Sequence, residues 1–177
     1  GGGADGCCGG AMGAAAGPDA LGVTQDPDPQ QATPSQIPET VSYVSGAARH
    51  SKQENALVVA DVARKLGVDP VLAVATMLVE SNGNNTNNTG DKGTSFGLFQ
   101  LHVGGELPKD WYPGTPGHSN AFDPRKNAET ALSRFAAKKN KYSGAELAYQ
   151  SQRPANHDGY VAAVNARMAE ARSLLGL

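Results

Sequence analysis

From Val71 to Val79 the chain reads VLAVATMLV, an apolar run broken only by Thr76. Asp69-Pro70 stands before it, an N-cap residue followed by a first-turn proline, and this pair predicts a helix. A helix that is apolar nearly all round must be buried on most sides. The rest of the chain therefore has to supply packing partners around it. The run ends on Glu80. A carboxylate set against Met77, Leu78 and Phe96 loses hydration, and its pKa rises. Such a group stays protonated near neutrality, as a general acid requires. From placement alone, a solvated residue that merely ends the helix is an equal reading, since structural carboxylates are perturbed too.

Other helix signals flank this one. Ser51-Lys52-Gln53-Glu54 has the form of a capping box. Val58, Val59, Val62, Ala63 and Leu66 follow at helical spacing, and Gly67 fits the stop. Pro38 to Ala48 reads as a short helix. Asp123-Pro124 repeats the cap-and-proline start and leads into Ala128, Ala131, Leu132, Phe135 and Ala136 on one face. Ser143-Gly144-Ala145-Glu146 has capping-box form, and Asp158 is placed to cap a last helix through Tyr160, Val161, Val164, Met168 and Leu175. About five helices with short connections and almost no strand signal predict a mainly α domain.

Between these helices, Asn82 to Asn88 is rich in Asn and reads as a turn-rich loop. Ser95 to Val103 reads as a short strand or extended turn, in which Gly97 admits close approach of a ligand or a neighbouring helix. Gly104 to Asn120 reads as a long loop. Its Trp111 and Tyr112 either pack on the domain, the favoured reading, or stack on a sugar ring.

Residues 1–36, dominated by Gly, Ala and Pro, read as a disordered linker, and 37–177 as the folded domain. A segment that orders only inside a larger assembly is the other reading of the tail. The chain does not begin with Met, which suggests a processed product or an excerpt from a longer polypeptide. Adjacent Cys7 and Cys8 make no disulfide framework and have no zinc-ligand spacing. The four His residues show no metal-ligand spacing either, so neither a metal nor a cofactor is expected. A net charge of −2 gives no sign of a nucleic-acid surface, and the run from Val71 to Val79 is too short to insert across a bilayer. Arg134, Lys138, Lys139 and Lys141 form a basic face, either solvated or turned to an anionic wall polymer.

Taken in order, Glu80-Ser81, Gly90-Asp91-Lys92-Gly93 and Phe96-Gly97-Leu98-Phe99-Gln100 resemble the catalytic core of the lysozyme-like glycosidases. The order is most similar to goose-type lysozymes, where Glu-Ser precedes a Gly-Asp-basic-Gly turn and a Phe-Gly-Leu-Met-Gln segment. Soluble lytic transglycosylases share the Glu-Ser and Gly-Leu-x-Gln parts and usually lack that Asp. Gly93 to His102 also resembles lysozyme-like modules of phage tail and tape-measure proteins. The likeness runs from about Ser51 to the C-terminus.

The resemblance implies a lysozyme-like catalytic domain that cuts the β-1,4 bond between N-acetylmuramic acid and N-acetylglucosamine in peptidoglycan. It implies a place on the bacterial wall, outside the cell or in a phage virion, with other virion proteins as further partners. It gives Glu80 the acid role and Asp91 a part in placing the attacking water. A turn cap is the competing role for Asp91. It places Ser81, Phe96, Gly97, Gln100, His102 and Tyr149 along the substrate groove. Gln100 reads nearly as well as a buried amide holding a turn, and Tyr149 as a core aromatic, although the resemblance sets its hydroxyl near Glu80. His102 departs from the goose-type pattern, which has a second Asp there. That departure leaves hydrolysis, which Asp91 favours, and lytic transglycosylation both open. A non-catalytic structural or glycan-binding module of a phage particle is the alternative of a different class.

Overall fold

The computed structural model of the chain describes residues 44–86 and 89–177. The linker expected over 1–36, the two cysteines and most of the short helix expected from Pro38 lie outside the described residues. The described part of that helix, 44–48, is bent backbone instead. Val44 is buried, and Gly46 N donates to Asp123 Oδ2 at 2.6 Å, so this strand of chain is tied to the domain.

The described residues are mainly helical. Helix α1, Lys52–Lys65, begins with the expected capping box. Ser51 Oγ accepts from Glu54 N at 3.0 Å, and Ser51 N donates to the Glu54 carboxylate at 2.8 Å. Helix α2, Pro70–Ser81, is capped by Asp69, which accepts from Val71 N at 2.9 Å. Every residue from Pro70 to Leu78 is buried. Helix α3, Pro124–Lys138, starts on Asp123, whose Oδ1 accepts from Arg125 N and Lys126 N, each at 3.0 Å. Helices α4, Gly144–Gln152, α5, His157–Ala166, and α6, Met168–Leu174, complete the order.

Three local expectations are corrected. Ser143 makes no side-chain cap, and the Glu146 carboxylate that would complete the box is held by Gln150 and His157. Asn156, not Asp158, caps α5 by accepting from Gly159 N at 3.0 Å. The single last helix is two, broken at Arg167. At the break the Arg167 guanidinium reaches Leu78 O at 3.1 Å and Asn82 Oδ1 at 2.6 Å. A cation thereby satisfies the end of α2, where backbone carbonyls lack helical partners.

Helix α2 is packed between α1, α4, α5 and α6, as its all-round apolar sequence demands. The expected extended segment is two short antiparallel strands, β1 (Ser95–Phe96) and β2 (Leu101–His102), with Ser95 opposite His102. The link between them is clamped by Asn127, fully buried on α3. Its Oδ1 accepts from Phe99 N at 2.9 Å, while its Nδ2 donates to Phe96 O at 3.1 Å and Ala121 O at 2.8 Å. Gly97 has φ +81°, and a Cβ there would lie 2.1 Å from both Ala121 O and Asn127 Nδ2. The close approach expected of Gly97 is thus to a helix.

The stretch from Gly104 to Asn120 is less irregular than expected, since it contains the 3-10 turn Lys109–Trp111 and leads into a second, His118–Phe122. Among the described residues no helix is long and apolar enough to cross a membrane.

Candidate active site

Helix α2 is buried along its length and surfaces only in its last turn, which brings Glu80 to a cleft of about 1150 Å³. Tyr160 on α5 donates from Oη to Glu80 Oε2 at 2.6 Å. Burial pushes the Glu80 carboxyl above the usual range. The Tyr160 hydroxyl and the Gln152 amide favour the charged form and pull the other way, and the negative charges of Glu106 and Asp91 add to the rise. Burial comes first and the net direction is upward. Tyr160 is itself pushed far up, by burial and then by the charge of Glu80, so it stays a donor.

The opposite wall is built by the turn Gly90-Asp91-Lys92-Gly93 and by β2. Asp91 and Lys92 both have positive φ, 49° and 59°, and Gly93 N donates to Gly90 O at 2.9 Å. Gly90 bridges Ser95, which sets the turn against β1 and turns Asp91 towards β2. Ser95 Oγ donates to Asp91 Oδ2 at 2.5 Å, and His102 Nδ1 lies 3.0 Å from the same hydroxyl. Asp91 remains 70% exposed at its side chain, while Ser95 is buried. A third side is formed by Glu106 and Arg134, paired at 3.4 Å.

Of the residues expected at the site, Glu80, Asp91, Gln100 and His102 line the cleft. Gln100, half-buried, also holds its own turn, its Nε2 donating to Gly97 O at 3.0 Å. Ser81, Phe96, Gly97 and Tyr149 are not brought to it. Ser81 Oγ donates back along α2 to Met77 O at 3.3 Å. Phe96 is buried edge-on against His118 and Phe122. Tyr149 stacks edge-on on His157 with ring centroids 4.4 Å apart, and the hydroxyl on Glu80 is that of Tyr160. Trp111 and Tyr112 pack against the core, and Tyr112 Oη accepts from Gly104 N at 2.8 Å. The basic face divides: Arg134 lines the cleft, Lys138 donates to Gln150 O at 2.5 Å, and Lys139 caps the end of α1 at Leu66 O, 3.1 Å away.

Sequence reasoning missed Tyr160, Gln152, Glu106 and the clamp Asn127. Tyr160 was legible only as one core residue of a helical stripe. Gln152 lies one turn beyond Tyr149 on α4, and its Nε2 donates to Phe99 O at 3.0 Å. A buried polar residue in an apolar stripe, as Asn127 is among Ala128, Ala131 and Leu132, was the available signal.

The arrangement sets a carboxylic acid biased towards its protonated form across an open cleft from a carboxylate, a hydroxyl and an imidazole. Chemically it can deliver a proton from one side and assist a nucleophile from the other. No family model, no curated protein and no solved structure matches the chain.

Proposed function

We propose that this chain is a peptidoglycan-cleaving glycosidase of the lysozyme-like class, with Glu80 as general acid. The observation that carries the reading is Glu80 itself. It stands at the mouth of a buried helix, anchored by Tyr160, with its carboxyl raised towards the protonated state. Glycoside cleavage needs such an acid on the leaving oxygen and a second group near the anomeric carbon. The wall formed by Asp91, Ser95 and His102 supplies that second group. The order of Glu80-Ser81, Gly90 to Gly93 and Gly97 to Gln100 resembles goose-type lysozymes and supports the same reading.

The substrate is the bond between N-acetylmuramic acid and N-acetylglucosamine, and a cleft of about 1150 Å³ has room for more than one sugar. Glu80 protonates the leaving oxygen, and water placed by the Asp91 wall attacks the anomeric carbon, which makes hydrolysis the expected outcome over transglycosylation. The site of action is the bacterial wall, reached from outside the cell or from a phage particle. Clearing of a purified peptidoglycan suspension tests this. The wild-type protein clears it and Glu80→Gln does not, whereas a wild-type protein that binds glycan without cutting it is a binding module.

A further inference from the structure

We infer that His102 is the base that takes the proton from the attacking water, while Ser95 and Asp91 hold its ring. This rests on the glycosidase reading and goes beyond it by assigning the second half of the reaction. The protons around the ring decide its tautomer. Ser95 Oγ–H donates to Asp91 Oδ2 at 2.5 Å, and Thr94 Oγ1–H donates to Asp91 O at 2.7 Å. A hydroxyl has one proton to give, so both are committed. His102 Nδ1 lies 3.0 Å from Ser95 Oγ and 3.4 Å from Thr94 Oγ1. Two oxygens that can only accept face that nitrogen, so Nδ1 carries the hydrogen and donates.

The neutral ring then has its lone pair on Nε2. Among the described residues no partner meets Nε2. The His102 side chain is 46% exposed and lines the same cleft as Glu80. An oriented acceptor nitrogen and the Glu80 carboxyl therefore share one cavity. Asp91 Oδ2 lies 3.8 Å from Nδ1. Asp91 is a positioning residue, acting on His102 through Ser95.

The step balances. The water oxygen bonds to the anomeric carbon as the glycosidic carbon–oxygen bond breaks, the leaving oxygen takes the Glu80 proton, and one water proton passes to His102 Nε2. Solvent then removes the proton from His102 and returns one to Glu80. One water is consumed and nothing is oxidised or reduced. The charged groups that line the cleft with His102 are Asp91 on the turn, Glu106 before the 3-10 segment, Arg134 on α3, Arg153 at the end of α4 and Glu80 on α2.

The test measures kcat and kcat/KM against pH on purified, solubilised glycan strands for wild type, Glu80→Gln, His102→Gln and His102→Asp. A base must be unprotonated, so its titration sets the acidic limb, where activity falls as pH falls. His102→Gln is expected to lower kcat roughly 100-fold or more with KM little changed. His102→Asp restores a base, and its acidic limb moves down by about 2.5 pH units, the ordinary gap between an imidazole and an aspartate. Both variants alter a half-exposed ring, and unchanged melting curves check that they fold. If wild type is active, Glu80→Gln is dead and His102→Gln keeps kcat within a few-fold with the acidic limb in place, this inference alone is overturned. A wild type that cleaves no glycan overturns the glycosidase reading and this inference together.

Discussion

Tyr160 Oη and Glu80 Oε2 lie 2.6 Å apart although eighty positions separate the two residues in the chain. The contact joins the end of the most buried helix to the α5 helix and fixes one oxygen of the carboxyl that the site is built around. It also restrains that carboxyl, because the hydroxyl favours the charged form while burial opposes it.

Removing the hydroxyl should therefore raise the Glu80 pKa further. An acid works only while protonated, so activity is lost as pH rises through its pKa. Tyr160→Phe is expected to carry the alkaline limb of kcat/KM to higher pH, at a cost of about 1–2 kcal/mol in stability. A pH–rate profile beside a urea melt measures both.

Glu80 should also weaken the fold as it ionises. Its native pKa is raised, so between the ordinary unfolded value of 4.5 and the native value the folded state binds more protons than the unfolded one. Stability falls as pH rises through that window. Glu80→Gln is expected to melt higher than wild type at pH 8, with the difference shrinking towards pH 4. Calorimetry at the two pH values is the check.

Asn127→Ala leaves Phe99 N, Phe96 O and Ala121 O without the side chain they share. One to three kcal/mol for each stranded group would sum higher, but water entering the hole relieves part of it, so we expect a loss of about 3 kcal/mol. The strand link carrying Gln100 and His102 loosens with it, and activity drops at temperatures well below the melt. Urea unfolding and an activity–temperature curve test the pair of effects.

The connection between α4 and α5 carries a pH-dependent tie. His157 Nε2 lies 2.6 Å from Glu146 Oε2, and its Nδ1 lies 2.8 Å from Asp158 Oδ1. Hydrogen bonds with Asp158 and Glu146 raise His157, and those with Gln150 and His157 lower Glu146. The His157 contribution is complete below about 6.5 and is lost as pH rises through the raised value. The Glu146 contribution is present above about 4.5 and is lost as pH falls through the lowered value. Amide exchange in residues 152–158 should be slowest between those limits, and His157→Gln should flatten the profile.

What the sequence made legible was local. The apolar run, its Asp-Pro start and the carboxylate at its end sufficed to place α2 and Glu80, because helix period and caps act within a few residues. Gly97 was legible as a close approach because the missing side chain is read from a single position, although the partners it meets, Ala121 and Asn127, were not. The choice between Tyr149 and Tyr160 was not, since both sit on helices that pack on α2 and only the tertiary arrangement decides which hydroxyl reaches Glu80. The capping boxes make the same point. Ser51 and Ser143 each have a Glu three residues on, but Glu54 has only its own cap to serve, whereas His157 from another helix draws Glu146 away. Asp158 likewise turns to His157 and leaves the α5 cap to Asn156.

Mass spectrometry of muropeptides released from purified peptidoglycan reads out whether Glu80 drives cleavage of a glycan by water. Wild type is expected to release muramic acid products with free reducing ends, and Glu80→Gln none. Dominant 1,6-anhydro products, lighter by one water, would contradict attack by water. Release by Glu80→Gln at a rate close to wild type would contradict the role of Glu80 itself.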